Sequence, residues 1–261
     1  MTSLSRVLLF AVVAVVPAHT WAAPAPQIFF GEDLPQVDDE TLLLHPNADA
    51  ARVQFLSNLS SFVTENFESF LANSPAPLAL NFGAFGSAML QDVGVPPGTP
   101  GKITQGVAPG GLYPISPTKF WESRSAFSVT FSQPQVALGF YGVDVGDFNG
   151  QLTITYVDGS SHVLIVPNTH SLTALGGSVL YFAFIDPANP FTKVTFDNTS
   201  VGTGIFDIFG FDDLTVGAPQ QVVVAGVPTL TEWGMAFMFL FLAVTAVFYI
   251  RRQQRSEVRL G

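Results

Sequence analysis

The spacing of hydrophobic residues predicts one helix ahead of a series of strands. Between residues 47 and 62 the apolar side chains recur at steps of three and four, which is the period of a helix. These positions are Ala48, Ala51, Phe55, Leu59 and Phe62. Asn47 is a candidate N-cap because its side chain can accept a hydrogen bond from the first turn. We therefore expect a leading helix of about fifteen residues.

Beyond this helix the period changes to two, which is typical of half-buried strands. Apolar residues alternate with hydroxylated or amide residues in 127–132 and in 151–156. Asp158-Gly159 then separates the second of these from 160–166, a combination that favours a β-hairpin. Further strands are predicted at 64–70, 78–82, 87–93, 136–143, 179–185, 192–196 and 209–216. The fold class is thus mainly β, an antiparallel β-sandwich of jelly-roll-like type over residues 48–217.

Glycine and proline mark the segments that connect these elements. Residues 94–117 contain twelve Gly or Pro in twenty-four positions, a density that predicts a long surface loop without regular structure. Residues 23–47 form a lead-in to the domain, and residues 218–226 form a linker after it.

The N-terminus has the pattern of a secretory signal peptide. Arg6 precedes an unbroken apolar run from Val7 to Val16, and small residues follow it. Residues 1–22 are the predicted signal, with cleavage after Ala22, and such a signal implies passage through the Sec translocon. An uncleaved anchor is the alternative, but ten apolar residues are too few to cross about 30 Å of hydrocarbon.

The C-terminus has the pattern of a membrane anchor. Residues 233–250 are a predicted transmembrane helix about 27 Å long at the rise of an α-helix. Trp233 and Tyr249 stand where interfacial aromatic residues are found, and arginines follow from Arg251. The positive-inside rule then places the tail, residues 251–261, in the cytoplasm and the β domain outside the inner membrane.

A short motif precedes this helix, formed by Val227, Pro228, Thr229, Leu230, Trp233 and Gly234. Together with the helix and the arginine-rich tail, the segment 227–255 resembles the IPTL-CTERM sorting domain, with Val227 where that family usually has Ile. The resemblance implies a Gram-negative host and recognition by an exosortase-type membrane transpeptidase. It also implies cleavage near Pro-Thr-Leu and delivery of the protein to the cell surface or extracellular space. The β domain, which closes with residues 209–216, is similar to the ectodomains of PEP-CTERM and IPTL-CTERM surface proteins.

Charge and composition exclude several classes of protein. Cysteine is absent, so disulfide scaffolds and thiolate metal sites are excluded. Residues 23–226 contain five basic residues against eighteen acidic ones, and they have no basic stripe. Such a surface repels phosphate backbones, so we expect no nucleic-acid partner.

Candidate chemistry is limited to acidic side chains. Asp212 alternates with Leu214 and Val216, which predicts that it faces the core and needs a partner. A structural Ca²⁺ could supply one, bound by Asp212 and Asp213 with loop oxygens and with Glu68 or Glu65. The alternative is that Asp212 accepts backbone hydrogen bonds and binds nothing. A second acidic group, residues 144–150, is interpreted first as a turn and less readily as a Ca²⁺ loop.

Three functions remain open from the sequence. The first is a non-enzymatic envelope protein without a cofactor, in surface or matrix organisation, because no catalytic motif is present. The second is a module that binds glycan or polysaccharide through exposed aromatic residues, for which the candidates are Trp121, Tyr113 and Tyr141. The third, more remote, is a hydrolase on a sandwich scaffold.

Overall fold

The computed structural model describes residues 25–93, 100–145, 150–169, 175–197, 208–220 and 230–257. The chain forms two units, residues 1–220 and residues 221–261. The predicted signal peptide, residues 1–22, and the motif residues Val227, Pro228 and Thr229 lie outside the described residues.

The first unit is built almost entirely of strands. Within the described residues these are β1 Gln27–Asp33, β2 Leu59–Glu65, β3 Leu78–Asn81, β4 Ser87–Asp92, β5 Lys102–Gln105, β6 Lys119–Ser123, β7 Phe127–Gln135, β8 Ala137–Val143, β9 Gln151–Tyr156, β10 Ser161–Ile165, β11 Val179–Ile185, β12 Phe191–Asp197 and β13 Phe209–Pro219. Helix α1 spans Pro46–Ser57, and a short 3₁₀ turn spans Gly83–Phe85. In the second unit, helix α2 spans Leu230–Glu257.

The strands form two antiparallel sheets, which confirms the predicted fold class. The seven-stranded sheet has the order β1-β11-β8-β13-β6-β5, and β2 also pairs with β13. The six-stranded sheet has the order β10-β9-β12-β7-β4-β3. The predicted hairpin is present as β9 and β10, with Gly159 at a φ of 83° in its turn.

Phenylalanine dominates the core between the two sheets. Phe127 stacks on Phe196 with ring centroids 4.5 Å apart, and Phe140 and Phe211 pack edge-on or tilted against them. All four side chains are buried. Burial of a phenylalanine contributes about 1.5–3 kcal/mol, so this cluster holds the sheets together without a disulfide.

A second apolar cluster covers the outer face of the seven-stranded sheet. Ala48, Ala51 and Phe55 of α1 are buried there against Phe29 and Tyr181. The approach is close at Gly139 of β8, where a Cβ would lie 2.4 Å from the Tyr181 hydroxyl oxygen and 2.9 Å from the Phe55 ring. Helix α1 therefore needs a glycine beneath it.

The helix is shorter than predicted, and its cap is different. It begins at Pro46 with His45 at the N-cap, so Asn47 is not the cap. Instead Asp33, at the end of β1, accepts hydrogen bonds from the backbone N–H groups of Asn47 (3.0 Å) and Ala48 (2.9 Å). The carboxylate thus caps the helix from a neighbouring strand and also faces the positive end of its dipole.

Two further predictions about secondary structure were wrong. Leu59 and Phe62 belong to β2, which ends at Glu65, so no strand continues to residue 70. The segment 94–117 contains a regular element, β5, which pairs with β6 at the edge of its sheet. Both strands depend on distant partners, since β2 pairs with β13 some 150 residues away, and local periodicity does not reveal such pairing.

Candidate functional site

Asp212 is buried as predicted, but it lies on the other face of its sheet. Its side chain is inaccessible, and it stands opposite Tyr141, on the face that α1 covers. Leu214 and Val216 lie on the inner face, in the core between the sheets. The reason is an irregularity at Asp213, whose φ is 50° and where the pairing of β13 with β8 shifts register. The extra residue inverts the alternation that the sequence pattern assumed.

Four hydrogen bonds satisfy the Asp212 carboxylate. One oxygen accepts from the backbone N–H groups of Ile115 and Ser116, both at 2.9 Å. The other accepts from the Ser116 hydroxyl at 3.0 Å and from the Asp213 N–H at 2.7 Å. Burial raises the pKa of Asp212 to about 8, the nearby Asp213 adds to this, and the donated hydrogen bonds oppose it. Asp212 therefore anchors the segment around residue 115 to the sheet.

Glu68 anchors the same loop a few residues further along, where the chain enters β6. Its carboxylate accepts hydrogen bonds from the backbone N–H groups of Thr118 and Lys119 and from the Thr118 hydroxyl, each at 2.7 Å. Although the small degree of burial favours the neutral acid, these hydrogen bonds lower the pKa of Glu68. The Lys119 ammonium donates to the carbonyl oxygens of Glu68 and Phe70, both at 2.8 Å.

Asp212, Glu68 and the other proposed Ca²⁺ ligands are thus engaged by groups of the protein itself. Asp213 is nearly buried, with an oxygen 3.8 Å from the Arg52 guanidinium, and burial raises its pKa. Glu65 accepts a hydrogen bond from the Phe67 N–H at 2.9 Å. Across the described part of the chain, no three His, Cys, Asp or Glu residues come together in a way that could hold a metal ion. Hydrogen bonds within the protein therefore satisfy the buried carboxylate of Asp212, and the Ca²⁺ site stays a prediction. Residues 146–149 of the second acidic group lie outside the described residues.

The aromatic candidates for glycan stacking are buried, so that part of the sequence interpretation was wrong. Trp121 is inaccessible and belongs to the core between the sheets, and Tyr113 and Tyr141 are each 3% exposed. The Tyr113 hydroxyl donates to the Gly177 carbonyl at 2.9 Å, and the Tyr141 hydroxyl donates to Asp49 at 2.7 Å. These rings fix loops and α1 in place and offer no surface to a sugar.

Sequence reasoning missed a charged network on β5 and β6. Glu122 is 4% exposed, and its carboxylate accepts hydrogen bonds from Arg124 Nε (2.7 Å) and from the Thr104 hydroxyl. The Lys102 ammonium lies 3.8 Å from the other side of the same carboxylate. The spacing of Glu122 and Arg124 by two residues is a local signal for side chains on one side of an extended segment, and Arg124 directly follows the end of β6 at Ser123. Lys102 and Thr104 join them only through the pairing of β5 with β6.

The C-terminal unit is a long apolar helix. Residues Trp233–Arg252 of α2 form a 20-residue segment of mean hydropathy 2.1, none of which is buried in the structure. By length and composition this segment can cross a membrane, and it contains the predicted span 233–250. Leu230 begins the helix and Gly234 lies within it, and the Trp233 ring packs against Phe237 with centroids 6.4 Å apart.

No family model matches the chain, and no curated protein matches it. Among solved structures, the chain is similar to the cleaved adhesin domain K1 of Lys-gingipain from Porphyromonas gingivalis, with 10% sequence identity and a TM-score of 0.25. That match covers 62% of this chain and all of the adhesin domain.

Proposed function

We propose that this protein is an exported, membrane-tethered envelope protein whose β-sandwich is displayed outside the inner membrane and then released from its C-terminal helix by an exosortase-type transpeptidase. The observation that carries the proposal is helix α2. Its apolar segment, Trp233–Arg252, is exposed along its whole length, and exposed apolar surface of that size is costly in water. A bilayer is the environment that would cover it.

The order of segments along the chain supports the rest of the proposal. The sandwich closes with β13 at Pro219, and α2 begins at Leu230. The short stretch between them carries Val227, Pro228 and Thr229 of the sorting-type motif, and Leu230 of the motif is the first residue of α2. Proline in that stretch favours extended backbone, which suits presentation to a protease-like active site. Arg251 and Arg252 at the far end of the span favour a cytoplasmic tail.

The test separates processing from simple anchoring. Replacement of Pro228 or Trp233 by alanine is expected to leave the precursor in the inner membrane, while the wild type loses both ends, as measured by intact mass and by fractionation. Phe239→Ala is the matched control, because it removes an aromatic side chain from the same helix outside the motif. Normal processing of the Pro228 and Trp233 variants would contradict exosortase-type handling. If the wild-type protein in the surface fraction still contains the tail, α2 acts only as a membrane anchor and is not removed.

A further inference from the structure

Strand β10 forms an unpaired edge of the six-stranded sheet. It pairs with β9, and within the described residues no other strand adjoins its far side. At the start of this pairing the Tyr156 N–H donates to the Ser160 carbonyl at 2.9 Å. Because the pattern alternates along an antiparallel pair, the N–H and C=O groups of Ser161, Val163 and Ile165 point away from β9. These backbone groups can pair with a further strand.

The other strand edges of the sandwich carry features that hinder pairing with a second chain. β1 ends in Glu32 and Asp33, and β2 ends in Glu65. β3 begins directly after Pro77, and the segment 73–76 covers the outer side of β5 through backbone hydrogen bonds. Charge, proline and cover are the usual means by which a strand edge is kept from pairing. The sequence of β10, Ser-His-Val-Leu-Ile, contains no Pro, Lys, Arg, Asp or Glu.

Apolar side chains accompany the unpaired backbone groups of β10. Val163 is 46% exposed and Ile165 is 55% exposed. Leu164 between them is buried in the core, so Val163 and Ile165 lie on the outer face of the sheet. A strand added beside β10 would cover part of both side chains and would remove apolar surface from water.

The distribution of charge favours a second copy of this chain as the partner. The chain has a net charge of −10, so two copies repel each other in general. β9 and β10 contain no Lys, Arg, Asp or Glu, and a charged partner would therefore find no opposite charge on these strands. The turn between them carries Asp158. In a twofold pair centred on Val163 the two Asp158 residues would be about 33 Å apart along the strands, well beyond the Debye length of about 8 Å.

We propose that two copies of this chain associate through β10, antiparallel about a twofold axis at Val163. This is the register in which all three outward-pointing residues of each copy are paired. Val163 pairs with Val163 of the partner subunit, and Ser161 pairs with Ile165 of the partner subunit. The two six-stranded sheets then form one continuous sheet. Because the contact is short, the association is weak and suits copies that are concentrated on one surface.

Disulfide cross-linking tests this register, because the chain contains no cysteine of its own. The Cα atoms of a hydrogen-bonded antiparallel pair are about 5.5 Å apart, and a disulfide spans about 4.4–6.8 Å. Val163→Cys in the full chain, in nonionic detergent under mild oxidation, is therefore expected to form a covalent dimer. Ile165→Cys is the matched control, because its two cysteines would be more than about 13 Å apart and should not cross-link. A mixture of Ser161→Cys and Ile165→Cys proteins should form the mixed dimer.

Sedimentation velocity of the full chain in density-matched nonionic detergent measures the association without a cross-link. The wild type is expected to dimerise as its concentration is raised towards about 0.5 mM. Val163→Lys is expected to raise the Kd by about tenfold or more, because two like charges would stand directly opposite each other. The exposure of Val163 means that this variant should keep the wild-type melting temperature.

Met89→Lys is the matched control for the added charge. Met89 is 40% exposed on β4, four strands away from β10 in the same sheet, and its replacement should change the Kd by less than about twofold. Three results would overturn the proposal. They are a wild type that stays monomeric at all concentrations, a Val163→Lys variant that dimerises as well as the wild type, or cross-linking of Ile165→Cys as efficient as that of Val163→Cys.

Discussion

Replacement of Asp212 by alanine tests whether this buried carboxylate holds the β5–β6 loop to the sheet. The change removes the acceptor for four donors, three of which come from Ile115 and Ser116, about a hundred residues away in sequence. The fourth donor is the adjacent Asp213 N–H. Because the loop cannot follow the shortened side chain without losing its other contacts, these donors are left without their partner.

The size of the expected loss in free energy of unfolding follows from the number of hydrogen bonds that the variant lacks. Each long-range hydrogen bond contributes a net of about 1 kcal/mol. Relief of the cost of burying a carboxyl group offsets part of the loss. We therefore expect the variant to be less stable by about 2–4 kcal/mol. For a domain of this size the melting temperature should fall by roughly 4–16 °C.

Thermal unfolding of the full chain in detergent, followed by near-ultraviolet circular dichroism, measures this change. Thr153→Ala on a partly exposed strand position is the control and should stay within about 0.5 kcal/mol of the wild type. An Asp212→Ala protein as stable as the wild type would refute the anchoring role. Melting with Ca²⁺ or with EDTA tests the metal prediction, because a bound ion stabilises by mass action. If EDTA lowers the melting temperature of the wild type but not of the variant, the carboxylate also holds a cation.

Two further predictions concern stability. Burial raises the pKa values of several carboxyl groups in the folded state, that of Asp212 to about 8 and those of Glu32 and Glu65 in the same direction. The folded chain thus retains protons that the unfolded chain releases above about pH 4, so stability should be greatest in mild acid and decline as the pH rises towards 8. A melting temperature that rises over this pH range would contradict the prediction. In the Asp212→Ala variant the melting temperature should depend less on pH than in the wild type. Gly139→Ala should cost about 1–3 kcal/mol in urea unfolding because its Cβ would meet Tyr181 and Phe55, whereas Gly234→Ala, with open space around it, should not lower stability.

The sequence by itself determined the class of the fold and most of its strands. Alternation in 127–132 and 151–156 is a local consequence of a sheet with one buried face, and Asp158-Gly159 turns the chain without distant help. The apolar segment of α2 is equally local, because every backbone hydrogen bond of a helix is made within the segment itself. Features of this kind can be predicted because each residue's environment is fixed by its near neighbours.

The tertiary structure alone decided where the polar groups act. The irregularity at Asp213 places Asp212 on the outer face, and the donors that satisfy it come from residues 115 and 116. Tyr113 and Tyr141 are of a residue type that is common on binding surfaces, yet α1 and the loops cover both side chains. The charged network around Glu122 exists because β5 pairs with β6 and brings Lys102 beside a carboxylate twenty residues away. Such contacts depend on register and on long-range pairing, which a pattern of single residues along the chain does not encode.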